Sequence, residues 1–309
     1  MDDGAPTRRA WRDATCLYSG THENPVYADR LAPRTAHAGK PVLMIHGGGH
    51  TGSCYLATPD GRPGWAPIFA AAGREVFVPD WPGHGRSPAG ADFPRLGSRD
   101  VAEALLVLLD EIGQCVLVVH SASGPFAWWM AERRPDLIAG IVGLAPGPPA
   151  NLQRDLPDDP AAIAGLRADA AAGHPVHSPE DRAVRFDAGF AAAYWANAPR
   201  FPKAAFERYR RGIVPESARI LNERFNIGGR GLKLDDPANL ARTPILIVTG
   251  EHDPRHPRAV DEATAQYLGA EFVWLPDCGV AGNGHLLMIE DNSAQLAALA
   301  LAWLDAKGL

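Results

Sequence analysis

A serine that follows an apolar run is the residue of this chain best placed for nucleophilic chemistry. The run Cys115-Val116-Leu117-Val118-Val119 predicts a buried parallel strand, and Ser121 stands two residues later, just before a helix-like stretch. A serine on such a sharp turn exposes its hydroxyl at the carboxyl edge of the sheet, beside the first N–H groups of the helix. This geometry is that of a nucleophile elbow.

The segment departs from the usual Gly-x-Ser-x-Gly pattern of such elbows. Centred on Ser121, the pattern has Val119 and Ser123 where glycines usually stand. Centred on Ser123, it has Pro125 at the second flank and a serine deeper in the helix. A capping serine in an ordinary strand-to-helix turn would give the same residues, so this segment alone leaves both interpretations open.

Glycines after a second apolar run could supply backbone donors. The run 41–45 is followed by His46-Gly47-Gly48-Gly49. Acyl transfer needs N–H groups aimed at the developing oxyanion, and glycine lets the backbone come close to it. We expect one donor from Gly48 or Gly49 and the other from Ala122, the residue after the serine. No Gly-Lys-Ser/Thr follows, which disfavours a phosphate loop.

A carboxylate and an imidazole appear late in the chain. The apolar run 244–249 leads into Gly250-Glu251-His252-Asp253, and His285 precedes a C-terminal helix pattern. A metal site on His46 and His50 stays an alternative, although the glycines between them disfavour a helix that presents both rings. His256 is expected to be a surface or loop residue.

These segments resemble the α/β-hydrolase superfamily, from about Tyr18 to the end of the chain. The order Ser121, Asp253, His285 is that family's nucleophile–acid–base order. The His-Gly-Gly-Gly run also resembles a subgroup of small bacterial serine esterases. That subgroup can use a glutamate after the sixth strand, where this chain has Leu144-Ala145-Pro146. The resemblance therefore assigns the acid to Asp253, with Glu251 second.

The resemblance implies a serine esterase that cleaves a small carboxylic ester or lactone through an acyl-enzyme, with no cofactor and no metal. An acyltransferase, a carbon–carbon hydrolase or a cyclase would share the scaffold, so these functions stay open. A binding protein that has lost catalysis is the alternative of another class. The complete set of Ser121, Asp253 and His285 argues against it.

Alternating strand and helix patterns predict an α/β fold. The resemblance implies a mostly parallel, doubly wound, eight-stranded sheet with a helical cap after the sixth strand. The predicted strands lie near 15–19, 25–31, 41–46, 75–79, 115–120, 138–144, 244–249 and 271–275, and the helices near 65–72, 98–112, 124–133, 257–267 and 290–306.

The predicted domains are the first part of the core at 1–146, a cap at 147–240, and the second part of the core at 241–309. The cap stretch is rich in alanine, proline, arginine and aspartate, and it lacks a convincing strand pattern. Its aromatic residues are candidates for substrate contact, among them Trp195, Tyr194 and Phe190. A basic run at 208–211 predicts a solvated helix face or, alternatively, a carboxylate clamp.

Composition limits the partners. The 309 residues carry a formal charge of −6 and are 46% hydrophobic, so no nucleic-acid partner is indicated. We find no apolar secretory segment at the start and no stretch that could span a membrane. The four cysteines include no Cys-x-x-Cys pair. We therefore expect a cytoplasmic protein whose partner is a small-molecule ester, and leave a homodimer open.

Overall fold

The computed structural model describes residues 15–36, 39–166 and 175–309. Within these ranges eight strands form one sheet in the order β1-β2-β4-β3-β5-β6-β7-β8. The strands are β1 (Cys16–Gly20), β2 (Pro25–Leu31), β3 (Val42–Ile45), β4 (Val76–Pro79), β5 (Cys115–His120), β6 (Ile138–Leu144), β7 (Ile245–Thr249) and β8 (Glu271–Trp274). The predicted α/β class and eight-stranded sheet are confirmed.

The sheet is antiparallel at one edge and parallel elsewhere. β2 pairs antiparallel with both β1 and β4, and every other pair is parallel. The register places Ile45 beside Val119 and His120 beside Leu144. The carboxyl ends of β3, β5 and β6 therefore meet at one edge, where ligands bind in open α/β sheets.

Helices cover both faces of this sheet. The described helices are α1 (Ser53–Leu56), α2 (Trp65–Ala71), α3 (Ser98–Ile112), α4 (Gly124–Arg133), α5 (Pro160–Ala164), α6 (Ala188–Tyr194), α7 (Phe206–Arg211), α8 (Ala218–Arg224), α9 (Arg258–Leu268) and α10 (Ser293–Ala306). One apolar core lies beneath α3, α4 and α9, and a second lies beneath α2 and α10. Because both faces are covered, every residue of β3, β5 and β7 is buried.

The stretch between β6 and β7 contains the short helices α5 to α8. Its described residues form isolated β-bridges, as at Val184 and Glu216, and contribute no strand to the sheet. Across the described ranges, we find no helix with both the length and the apolar character needed to cross a bilayer.

Candidate active site

Ser121 lies at the turn that joins β5 to α4. Its φ is +54°, a left-handed conformation that is uncommon for a residue with a side chain. The carbonyl of Ser121 accepts a hydrogen bond of 2.7 Å from the amide of Gly147, which follows β6. Such strain persists only where the surroundings hold it, and it is concentrated at functional sites.

Three side chains from distant parts of the chain form one line of hydrogen bonds. Ser121 Oγ lies 3.0 Å from His285 Nε2, and His285 Nδ1 lies 2.7 Å from Asp253 Oδ2. The other oxygen, Asp253 Oδ1, accepts the amides of Arg255 at 2.8 Å and His256 at 3.2 Å. These two bonds fix the plane of the carboxylate against the imidazole.

The alternative acid, Glu251, and the alternative nucleophile, Ser123, have other hydrogen-bond partners. Glu251 is exposed, and its Oε1 accepts the amide of Gly282 at 2.6 Å. Ser123 is fully buried, and its hydroxyl lies 2.8 Å from both the amide and the carbonyl of His120. Ser123 thus stabilises the backbone of the turn. Ser121 and Asp253 are the residues that lie within hydrogen-bond distance of the His285 imidazole.

The site stabilises an ionised carboxylate beside a neutral imidazole. Burial alone would raise the pKa of Asp253, but the charge and the hydrogen bond of His285 lower it to about 2. Burial lowers the pKa of His285 below its ordinary value, although the charge of Asp253 opposes this. At neutral pH His285 can therefore accept a proton at Nε2.

The glycine loop after β3 lies beside Ser121. The peptide unit between Gly48 and Gly49 is held at both ends, since the Gly48 carbonyl accepts His50 Nδ1–H at 2.8 Å and the Gly49 amide donates to Glu216 Oε2 at 2.9 Å. Of the two predicted donors, Gly49 is therefore already occupied by a carboxylate.

The Gly48 amide has no hydrogen-bond partner in the described part of the chain, and neither has the Ala122 amide. A Cβ added at Gly48 would lie 3.6 Å from the Cβ of Ala122, so the two residues are neighbours in the fold. Gly48 is also partly exposed. Gly48 and Ala122 are thus the pair left free to bind an oxyanion.

The comparisons with known proteins agree with this geometry. Residues 42–299 match the model of the Alpha/beta hydrolase family. The chain belongs to this family. It is 25% identical to a probable secreted lipase, phiG, of a fungal species (strain ATCC 74256), over 97% of this chain and 92% of the fungal protein.

Solved structures show the same α/β-hydrolase fold. A thermophilic esterase from Thermogutta terrifontis superposes with a TM-score of 0.66 at 21% identity, covering 96% of this chain and all of the other. A meta-cleavage product hydrolase from Pseudomonas fluorescens IP01 gives 0.60 at 14% identity, covering 94% of this chain and 98% of the other.

A cavity of about 510 Å³ reaches Ser121 and Ala122 in this α/β hydrolase. Its walls come from the residues after β6, the end of α8, and the segment from Arg255 through α9. The walls are mainly apolar; these residues include Leu156, Leu166, Ile220, Phe225, Leu232 and Val260. The volume suits a small organic molecule.

The predicted substrate contacts at Trp195, Tyr194 and Phe190 are not among the residues that line this cavity. Trp195 instead packs edge-on against His50 with ring centroids 4.8 Å apart, and a Cβ added at Gly49 would collide with its ring. Tyr194 contacts Phe190 with the two rings tilted at 35° and their centroids 4.9 Å apart, and it is 41% exposed. Trp195 therefore covers Gly49 of the glycine loop.

His46 and His50, the two histidines considered as metal ligands, form hydrogen bonds with other groups of the protein. His46 Nε2 accepts the amide of Trp81 at 3.1 Å, and its Nδ1 donates to the Gly47 carbonyl at 2.9 Å. His50 Nε2 lies 2.9 Å from the Tyr209 hydroxyl. No cluster of three or more His, Cys, Asp or Glu side chains suited to a metal ion occurs among the residues described.

Sequence reasoning missed two histidines next to the site. His120 Nε2–H donates to the carbonyl of His285 at 2.9 Å, and burial lowers the pKa of His120 well below its ordinary value. His256 lies in a loop, as predicted, but it is buried and stacks on His285 with centroids 5.4 Å apart. Its Nδ1 bonds to Asp261 at 3.0 Å. The only sequence signal was that His120 directly precedes Ser121 and that His256 follows Asp253 by three residues.

Glu216 was also missed, because it lies in a segment without a periodic pattern. Its carboxylate is fully buried and bonds to Gly49, to the amide of Ser217 at 2.8 Å, and to His84 Nε2 at 3.3 Å. Burial alone would lower the pKa of His84, but the charge and the hydrogen bond of Glu216, together with the Pro82 carbonyl and the charge of Asp80, raise it. A buried carboxylate is thus balanced by three donors beside the glycine loop.

Proposed function

We propose that this α/β hydrolase is a serine esterase that cleaves the carboxylic ester of a small organic molecule through an acyl-enzyme. The observation that supports it most directly is the line of hydrogen bonds from Ser121 through His285 to Asp253. Two amides that lack a partner among the described residues support it further, since Ala122 directly follows Ser121 and Gly48 is a neighbour of Ala122. The names of a fungal relative, a lipase, and of a structural neighbour, an esterase, agree with this reaction class.

In the first step Ser121 Oγ attacks the ester carbonyl while His285 Nε2 takes its proton. The carbonyl oxygen becomes an oxyanion that the amides of Gly48 and Ala122 stabilise. Asp253 keeps the proton of the neutral imidazole on Nδ1 and stabilises the imidazolium. The tetrahedral intermediate collapses, His285 gives its proton to the leaving alkoxide, and the acyl group remains on Ser121.

In the second step water attacks the acyl-enzyme. His285 accepts one proton from this water, and the same two amides hold the second oxyanion. The C–O bond to Ser121 then breaks, the proton returns to Ser121 Oγ, and the acid leaves. The helices between β6 and β7 act as the cap over this reaction, within the predicted boundaries 147–240, because residues of this stretch form much of the cavity wall.

The first test is hydrolysis of 4-nitrophenyl butyrate by Ser121→Ala. We expect kcat/KM to fall by at least about 10³-fold while the far-ultraviolet circular dichroism is unchanged, because the nucleophile is lost. Ser19→Ala, on the edge strand β1, is the matched control. A fluorophosphonate probe should label Ser121 in the unmodified protein, as read by peptide mass spectrometry.

Wild-type-like activity in Ser121→Ala would end the proposal. Labelling of Ser121 without hydrolysis, together with acyl transfer to an added alcohol, would replace the esterase with an acyltransferase on the same residues.

A further inference from the structure

Two arginines line the cavity that reaches Ser121. Arg224 is the last residue of α8, and Arg255 follows Asp253 by two residues in the loop after β7. Four lining residues carry a fixed charge in the described chain, and three of them are arginines, the third being the exposed Arg154. The cavity is therefore positively charged although the whole chain carries a net charge of −6.

The one lining carboxylate does not neutralise this charge. Glu223 Oε1 accepts Arg219 Nε at 2.8 Å, and Glu223 Oε2 accepts the amide of Ser98 at 2.7 Å. Neither Arg224 nor Arg255 forms an ion pair or a side-chain hydrogen bond with any residue in the described ranges. Other partly buried arginines of the chain, such as Arg219, do have a carboxylate partner.

Aromatic rings support both guanidinium groups. Arg224 Cζ lies 4.8 Å from the ring centroid of Phe225. Arg255 Cζ lies 5.5 Å from that of Phe190 and 5.9 Å from that of Tyr194. Contacts of this kind orient a guanidinium group but leave its N–H donors free. Two of the three aromatic residues predicted as substrate contacts, Phe190 and Tyr194, thus lie against Arg255.

Leaving these charges without an anion is costly. Burial lowers the pKa of Arg224 well below its ordinary value, and the charge of Arg255 lowers it further, although the charge of Asp253 opposes both. Burial also lowers the pKa of Arg255, although Asp253 opposes this. Arginine nevertheless stays protonated in proteins. A bound anion would therefore relieve an unfavourable electrostatic energy.

We propose that this cavity selects esters that carry a carboxylate, which Arg224 and Arg255 bind while Ser121 attacks the ester carbonyl. The proposal rests on the proposed function and names its substrate class. The apolar residues that line the same cavity receive the hydrocarbon part of the substrate. Guanidinium groups match carboxylates because they can donate two parallel hydrogen bonds.

The basic run that suggested a carboxylate clamp has other contacts. Arg210 pairs with Glu207 at 2.6 Å, and Arg208 Nη1 donates to the carbonyl of Pro59 at 2.9 Å. None of the three arginines of this run lines the cavity. Arg211 is exposed on the same helix and provides a matched control for loss of one positive charge.

The kinetic test compares mono-4-nitrophenyl glutarate with 4-nitrophenyl 5-methylhexanoate, in which an isopropyl group replaces the carboxylate. We expect the wild-type protein to favour the anionic ester in kcat/KM by about 10- to 100-fold, as charge-assisted hydrogen bonds allow. Arg224→Gln should reduce this preference about 10-fold, mainly through KM for the glutarate ester. Arg224→Lys should keep part of the preference, and Arg211→Gln should keep all of it.

The succinate and adipate hemiesters test other distances between the carboxylate and the ester. Equal kcat/KM for all three hemiesters and their neutral counterparts would overturn the proposal. An unchanged preference in both Arg224→Gln and Arg255→Gln would also overturn it.

A binding test separates this proposal from the esterase proposal. In the Ser121→Ala protein, glutarate should raise the Tm, whereas glutaramide should not, and Arg224→Gln in the same background should abolish the shift. If glutarate binds through Arg224 but no ester is hydrolysed, the esterase proposal fails and the anion site stands. If esters are hydrolysed but neither succinate, glutarate nor adipate binds, the anion site fails and the esterase stands.

Discussion

The carboxylate of Glu216 accepts a hydrogen bond from the amide of Gly49 at 2.9 Å, across 167 residues of sequence. This bond joins the segment before α8 to the glycine loop after β3. Because the same peptide unit is held by His50 at its carbonyl, its orientation is fixed from both sides. Glu216 is therefore a positioning residue for the loop that presents the free amide of Gly48.

Glu216→Gln tests this role. An amide has one acceptor oxygen, so either Gly49 or Ser217 would face an NH₂ group in place of an oxygen. A misplaced oxyanion donor reduces turnover, and we expect kcat on 4-nitrophenyl butyrate to fall by about 10-fold or more with little change in KM. The control is Glu207→Gln, since Glu207 is exposed and pairs with Arg210. Unchanged kcat in Glu216→Gln would refute the positioning role.

The pH dependence of kcat/KM should report His285. Its pKa is lowered chiefly by burial, and it must be neutral to accept the proton of Ser121. Activity should therefore rise with pH through a midpoint below 6.5, the ordinary value for histidine. The carboxylate of Asp253, with its pKa at about 2, stays ionised throughout this range. A midpoint above 6.5 for a substrate that does not itself titrate would contradict the assignment.

Asp253→Asn tests the acid directly. Loss of the negative charge removes the interaction that raises the pKa of His285. The acid limb should therefore move to lower pH, while kcat falls by about 10³- to 10⁴-fold because the imidazolium is no longer stabilised. Glu251→Gln is the matched control, because Glu251 bonds to Gly282 and not to His285. Full turnover in Asp253→Asn would show that another carboxylate orients the imidazole.

The sequence predicts well those site residues that come directly after a buried strand. The apolar runs of β3, β5 and β7 predict buried parallel strands, and their carboxyl ends must meet at one edge. The positions of Ser121, Asp253 and the glycine loop follow from this. The departure at Ser123 is also understandable, because its buried hydroxyl bonds to the backbone of His120.

The residues that sequence reasoning missed depend on packing between distant segments. Glu216 lies in a stretch of short helices, and nothing in its neighbours indicates that it contacts Gly49. Which arginines face the cavity depends on how α8 packs near the loop after β7. The clustered arginines at 208–211 therefore suggested a carboxylate clamp, whereas Arg224 and Arg255 are isolated in the sequence and gave no signal.

The φ of +54° at Ser121 implies a cost in stability that Ser121→Gly should relieve. A left-handed conformation costs a residue with a Cβ roughly 1–2 kcal/mol, and glycine adopts it freely. Alanine at 121 keeps the Cβ and therefore keeps the strain. Glycine also makes the unfolded chain more flexible, and this offsets part of the gain. We therefore expect the free energy of unfolding of Ser121→Gly to exceed that of Ser121→Ala by about 1 kcal/mol. Urea denaturation of the two inactive variants measures this difference. Equal stability of the two variants would show that the turn does not hold Ser121 in a strained conformation.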